Sequence, residues 1–166
     1  MPHERFVTDE LLYEARLHSA RFGGMRPVVP AKRFAIVTCM DSRIDVFDLF
    51  GLAIGDAHVI RNAGGLVTDD VLRSLVLSQR VLQTREVVLV HHTDCGLQTI
   101  REDEIQAQLF AETGEAPPYA FGAFEDVDDA VRHALTRVRE HRFLPHRDRV
   151  RGFVYVVETG DLREVT

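Results

Sequence analysis

The feature that most constrains this chain is an alternation of two kinds of segment. Short runs of β-branched and apolar residues are separated by longer stretches with helical apolar spacing. Phe34-Ala35-Ile36-Val37-Thr38, Ala57-His58-Val59-Ile60, Val87-Val88-Leu89-Val90 and Phe153-Val154-Tyr155-Val156-Val157 read as strands. The first and third are apolar almost without a break, as expected of parallel strands covered on both faces. Between the second and third, Thr68 precedes Asp69 and Asp70 and then Leu72, Leu75 and Val76, which marks a capped crossover helix. A later helix carries Val127, Val131, Leu135 and Val138 on one face. It begins among Glu125, Asp126, Asp128 and Asp129 and ends among Arg137, Arg139 and Arg142, so both ends complement the helix dipole. Its charges read as a solvated face, and Thr113-Gly114-Glu115-Ala116-Pro117-Pro118 as a loop between helices. The pattern predicts an α/β fold with a mainly parallel sheet flanked by helices. In such folds ligands bind beyond the carboxyl ends of the strands.

Ahead of the alternation, Thr8 precedes acids and the helically spaced Leu11, Leu12 and Ala15, predicting a helix capped by Thr8. Gly23-Gly24 stops it, and Pro27 and Pro30 keep the next stretch extended, so the helix forms an arm outside the repeat. A chain of 166 residues suits one domain, with the arm over 1–30 and an α/β core over 31–166. The net charge of −6 has the wrong sign for gripping a phosphate backbone, so nucleic acid is not an expected partner. No apolar run approaches the ~20 residues that span a bilayer. Met1-Pro2-His3-Glu4-Arg5 leads into charge instead of an apolar leader, so a cytoplasmic protein without membrane contact is expected.

The chain has two cysteines, too few for a disulfide scaffold. The first strand runs directly into Cys39-Met40-Asp41-Ser42-Arg43, and the third into His91-His92-Thr93-Asp94-Cys95-Gly96. The spacing of His92 and Cys95 lets one turn supply two ligands to one ion, and Cys39 makes a third. Two thiolates, an imidazole and an open position form the pattern of a catalytic zinc site, whereas a structural site takes a fourth protein ligand. Two other readings stay open. Free cysteines are commonly buried as small apolar residues, and two thiols can form a redox pair, although redox motifs place both within a few residues. Burial alone does not explain why both cysteines follow strands, one with a histidine at ligand spacing. His91 is expected to point away from His92, as strand neighbours do.

Asp41 and Arg43 read either as a surface ion pair or as part of the site. Charge counting favours the second. Zinc with two thiolates and a neutral imidazole is formally neutral and acidifies water less than an all-histidine site. A carboxylate held ionised by an arginine fork and orienting that water compensates. If Asp41 took the open position itself, it would switch the site off. Arg61-Asn62-Ala63-Gly64-Gly65 reads as a turn into the Thr68 helix and one wall of the pocket; its glycines alone are a weak phosphate signal.

Together the Cys-x-Asp-x-Arg stretch at Cys39 to Arg43, the Arg61-Asn62-Ala63-Gly64 turn and the His-x-x-Cys-Gly stretch at His92 to Gly96 resemble the β-class carbonic anhydrases. The wording is that of the compact bacterial branch known from mycobacteria, which also includes carbonyl sulfide hydrolases. The resemblance is close over 34–99 and looser over 152–166. It implies Zn2+ held by Cys39, His92 and Cys95, with Asp41 and Arg43 as the catalytic dyad. It also implies a parallel four-stranded sheet core and a homodimer or higher assembly in which the amino-terminal helix wraps the partner. The implied activity is reversible hydration of carbon dioxide to bicarbonate and a proton by zinc-bound hydroxide. Carbonyl sulfide hydrolysis at the same site is the alternative, and a catalytically silent zinc-binding protein is the alternative of another class. The chain has no Trp, so the tryptophan and tyrosine that hold noncatalytic bicarbonate in some members are not matched as a set.

Overall fold

The computed structural model describes residues 6–166; residues 1–5, read above for a leader, lie outside the described residues. In chain order the elements are α1 (Val7–Ala20), β1 (Phe34–Cys39), α2 (Val46–Leu49), β2 (Ala57–Asn62), a 3-10 turn (Ala63–Gly65), α3 (Asp69–Arg80), β3 (Glu86–His92), α4 (Gly96–Thr99), α5 (Glu102–Thr113), α6 (Val127–Glu140), β4 (Val150–Tyr155) and β5 (Leu162–Val165).

The sheet has the order β2-β1-β3-β4-β5. The first four strands are parallel, as expected, and β5 adds a short antiparallel edge beside β4. The expected four-stranded core therefore becomes five-stranded. The Leu162–Val165 segment is too short, and too polar in its middle, to stand out as a strand by itself. From β1 the chain goes outward to β2 and then returns to form β3 on the other side of β1. The topological switch point, where open sheets of this kind bind ligands, thus falls between the carboxyl ends of β1 and β3.

The near-continuous apolar runs have the predicted cause. In β1 the five residues from Ala35 to Cys39 are buried, and in β3 Val87, Leu89 and Val90 are buried as well. One face of the sheet meets α3 and α6: Ala35, Val37, Val87 and Leu89 pack with Leu72, Leu75, Val131, Leu135 and Val138. Each fully buried Leu or Val contributes roughly 1.5–3 kcal/mol. The other face is covered by thinner material, with Ile36 and Val90 packed against Ile44, Val46 and Leu97 from the loops and single turns after β1 and β3. Both metal-candidate cysteines belong to this second cluster.

Thr68 caps α3 by accepting from Val71 N at 3.4 Å, and Asp126 caps α6 by accepting from Asp128 N and Asp129 N. Thr8 does not cap α1. The helix starts two residues earlier, capped at Phe6, with Asp9 N donating to Phe6 O at 3.0 Å, which puts Thr8 inside the helix. The arm helix buries none of its residues, and Leu11, Leu12, Tyr13 and Leu17 remain exposed. The last predicted strand is shifted toward the amino terminus, to Val150–Tyr155, because Val156 turns away to bond Asp161 and lead into β5. No helix among the described residues is long and apolar enough to cross a membrane.

Candidate metal centre

Cys39 is the last residue of β1 and His92 the last of β3, and the two strands are hydrogen-bonded neighbours. Cys95 follows one turn later, at the start of α4. The candidate ligand atoms of Cys39, His92 and Cys95 all lie within 4.8 Å of one another, and all three residues are buried. Close approach of the 3-10 turn makes this possible. Gly65 has φ +66°, and a Cβ there would stand 2.9 Å from both Cys39 N and Thr38 C. Only glycine fits both the left-handed backbone and the space.

His92 has its tautomer set by the chain. Its Nδ1 lies 2.8 Å from Thr93 O and donates to it, which leaves Nε2 with a free lone pair. Nε2 is buried without a hydrogen-bond partner among the described residues. A buried nitrogen left bare in this way is costly unless something occupies the position it faces. The thiols behave as a pair. The neighbouring Cys95 thiol lowers the Cys39 pKa against the opposing effect of burial, helped by His92 and by the backbone of Asp41 and Gly64. Cys39 in turn raises the Cys95 pKa, and burial adds to that. For His92, burial disfavours the imidazolium, but Cys39, the Thr93 carbonyl and Asp41 outweigh it and raise the pKa.

Asp41 and Arg43 form a bidentate pair beside this triad. Arg43 Nε donates to Asp41 Oδ1 at 3.0 Å and Nη2 to Oδ2 at 2.8 Å, while Arg43 N reaches Oδ1 at 2.9 Å. The Arg43 side chain holds the Asp41 carboxyl well below the usual carboxylate range, so it is an ionised acceptor. Asp41 Oδ2 stands 3.9 Å from His92 Nε2, so one carboxylate oxygen faces the triad. Arg43 is itself held from the far side. Its Nη1 donates to Asp94 Oδ2 at 2.7 Å and its Nη2 to Asp94 O at 3.0 Å.

His91 is one residue earlier on β3 and so projects to the opposite face, as expected. It is fully buried against Phe124, and burial pushes its pKa down to about 4, with the Gly65 backbone offsetting only part of the shift. His58 bonds Ser78 Oγ at 2.8 Å through Nδ1, a link between β2 and α3. Asp94, at first only near the motif in sequence, proves to be the second carboxylate on Arg43. Arg61 and Asn62 belong to β2 and not to the turn, in register with Thr38 and Cys39. Glu102 went unnoticed in the sequence: its carboxylate accepts from Phe121 N at 2.8 Å and Gly122 N at 3.0 Å, pinning the loop that carries Phe124.

At the switch point of a mainly parallel α/β sheet, a buried Cys2His cluster beside an Asp-Arg pair offers the donor set of a metal-dependent enzyme. The carbonic anhydrase family model matches residues 34–162. The chain is 46% identical over 160 residues to β-carbonic anhydrase 1 of Mycobacterium tuberculosis, covering 96% of this chain and 98% of that protein. The crystal structure of carbonic anhydrase from Streptococcus mutans superposes with a TM-score of 0.89 at 39% identity, covering 98% of this chain and 99% of that one. A carbon disulfide hydrolase of Acidithiobacillus thiooxidans is 35% identical over 152 residues, 80% of this chain and 76% of that protein. The chain belongs to the β-class carbonic anhydrases.

Proposed function

We propose that Cys39, His92 and Cys95 hold a zinc ion and that the protein, a single domain with an arm over 1–30, catalyses the reversible hydration of carbon dioxide to bicarbonate. The observation that carries this reading is the bare, buried His92 Nε2 among two thiols, faced by an Asp41 carboxylate that Arg43 fixes. The donor set fits zinc: two soft sulfurs and an imidazole of settled tautomer, with no fourth side chain in the cluster among the described residues. When bound, the metal supplies a Lewis acid that makes water acidic enough to react near neutral pH. The Thr93 carbonyl keeps the His92 lone pair aimed inward. Asp41 Oδ2 accepts a hydrogen bond from the reacting water and so orients its lone pair toward the carbon. Arg43 keeps that carboxylate ionised and prevents it from rotating. Ile44, Val46 and Leu97 pack in the same buried cluster as the two cysteines, so the surroundings of the site are apolar.

The same residues can act on a sulfur-containing heteroallene, and the similarity to carbon disulfide hydrolase favours that as the second reading. The higher identity and fuller coverage of the mycobacterial carbonic anhydrase favour carbon dioxide. The arm supports a homodimer or higher assembly, because a helix with exposed Leu11, Leu12, Tyr13 and Leu17 and no buried residue needs a partner surface. One zinc-loaded preparation should be assayed for carbon dioxide hydration and for hydrogen sulfide release from carbonyl sulfide and carbon disulfide. Faster hydration is expected. Faster sulfide release would move the protein to the hydrolases, and zinc without any turnover would leave a silent binding protein.

A further inference from the structure

We propose that Arg61 is a positioning residue of the metal centre, tying down the main chain on both sides of Met40 and thereby setting the spacing between Cys39 and Asp41. The inference rests on the zinc reading above. Arg61 Nε donates to Cys39 O at 2.9 Å and Nη2 donates to Asp41 O at 2.6 Å. The β1–β2 ladder ends with Cys39 opposite Asn62, and Met40 N still reaches Asn62 O at 2.8 Å. Beyond that point the strand pairing stops. The chain must nevertheless deliver a ligand at 39 and a carboxylate at 41 in a defined relation. Asp41 O receives a second bond from Ile44 N at 3.2 Å, which closes the following turn.

A guanidinium suits this task better than an ammonium, because its planar fork spans two acceptors at a fixed separation. Both bonds are charge-assisted. The two arginines therefore divide the work. Arg43 fixes the Asp41 side chain, and Arg61 fixes the main chain that carries both Asp41 and Cys39. Arg61 directs these two donors at carbonyls, neither at the thiols nor at the Asp41 carboxylate. Its loss should leave every ligand present but loosely placed, and losses of such supporting partners typically cost about 10–100-fold in metal affinity or activity.

The test compares the parent protein with Arg61→Ala and Arg61→Lys, each loaded with zinc. Zinc affinity is read by competition with a chelator, and kcat and KM by stopped-flow hydration. Arg61→Ala should weaken zinc binding or lower kcat by about 10–100-fold, with KM changed less than about twofold because the two bonds it loses go to main-chain carbonyls. Arg61→Lys keeps the charge and should recover only part of the loss. If Arg61→Ala does not fold, Arg61→Lys carries the test. Parental zinc affinity and kcat in the folded variants, even with lowered thermal stability, would overturn the proposal. A parent that neither binds zinc nor turns over would instead overturn the reading on which it rests.

Discussion

Replacing Gly65 with alanine separates two costs that most substitutions mix. Gly65 sits at φ +66°, a left-handed conformation that costs an L-residue roughly 1–2 kcal/mol. Its new Cβ would also lie 2.9 Å from Cys39 N and Thr38 C and 3.2 Å from Thr38 Cα. These are backbone atoms of a central strand, held by β2 on one side and β3 on the other, so they yield only by displacing Cys39. Overpacking of this kind costs about 1–3 kcal/mol more, for a total of about 2–5 kcal/mol. Gly114 is the control. It has φ +79° at the end of α5 and nothing within 4 Å of a Cβ, so Gly114→Ala should cost only the backbone part, roughly 1–2 kcal/mol. Urea unfolding of the zinc-free variants at one protein concentration gives the difference, and chelator competition gives zinc affinity. Gly65→Ala should lose more stability than Gly114→Ala and should alone weaken zinc binding. Equal losses, or parental zinc affinity in Gly65→Ala, would refute the idea that the turn sets the position of Cys39.

Cys95→Ser should retain the fold by circular dichroism yet lose tightly held zinc; unchanged metal content would remove Cys95 from the site. Asp41→Ala should keep about one zinc per chain while kcat falls by about 10²–10⁴-fold, the usual contribution of a positioned acid or base. The Asp128 carboxyl is held below its ordinary pKa by the Arg163 side chain, which joins α6 to β5. A depressed pKa means that this stabilisation is complete above the unfolded value of about 3.9 and is lost as pH falls through the lower folded value. Asp128→Asn should thus cost roughly 0.2–1 kcal/mol at pH 7, with the gap to the parent closing in acid. A gap that widens below pH 4 would contradict the assigned cause.

The parallel core and the Cys39-His92-Cys95 cluster were legible because each depends on local pattern. The runs over 34–38 and 87–90 are covered on both faces, Cys39 and His92 end the strands these runs announce, and Cys95 follows one turn later. Long-range partners were hidden. Arg61 meets Cys39 and Asp41 only because β2 pairs in register with β1, and Asp94 meets Arg43 only because β3 lies on the other side. Asp94 also takes φ +53°, which no spacing rule anticipates for a residue other than glycine. The strand β5 escaped notice because Leu162-Arg163-Glu164-Val165 buries only Val165 and owes its pairing to β4. Thr8 misled because a capping preference of about 1 kcal/mol is a weak guide where a helix packs on nothing that fixes its start.

The proposed centre is a zinc ion with three protein ligands and one position left open. X-ray absorption at the zinc edge of the loaded protein reads that first shell. The expected spectrum has two sulfurs at roughly 2.3 Å, one imidazole nitrogen near about 2.0 Å and one further light atom, with one sulfur lost in any Cys95→Ser protein that still holds metal. A shell of four protein ligands, or a first shell without sulfur, would contradict it.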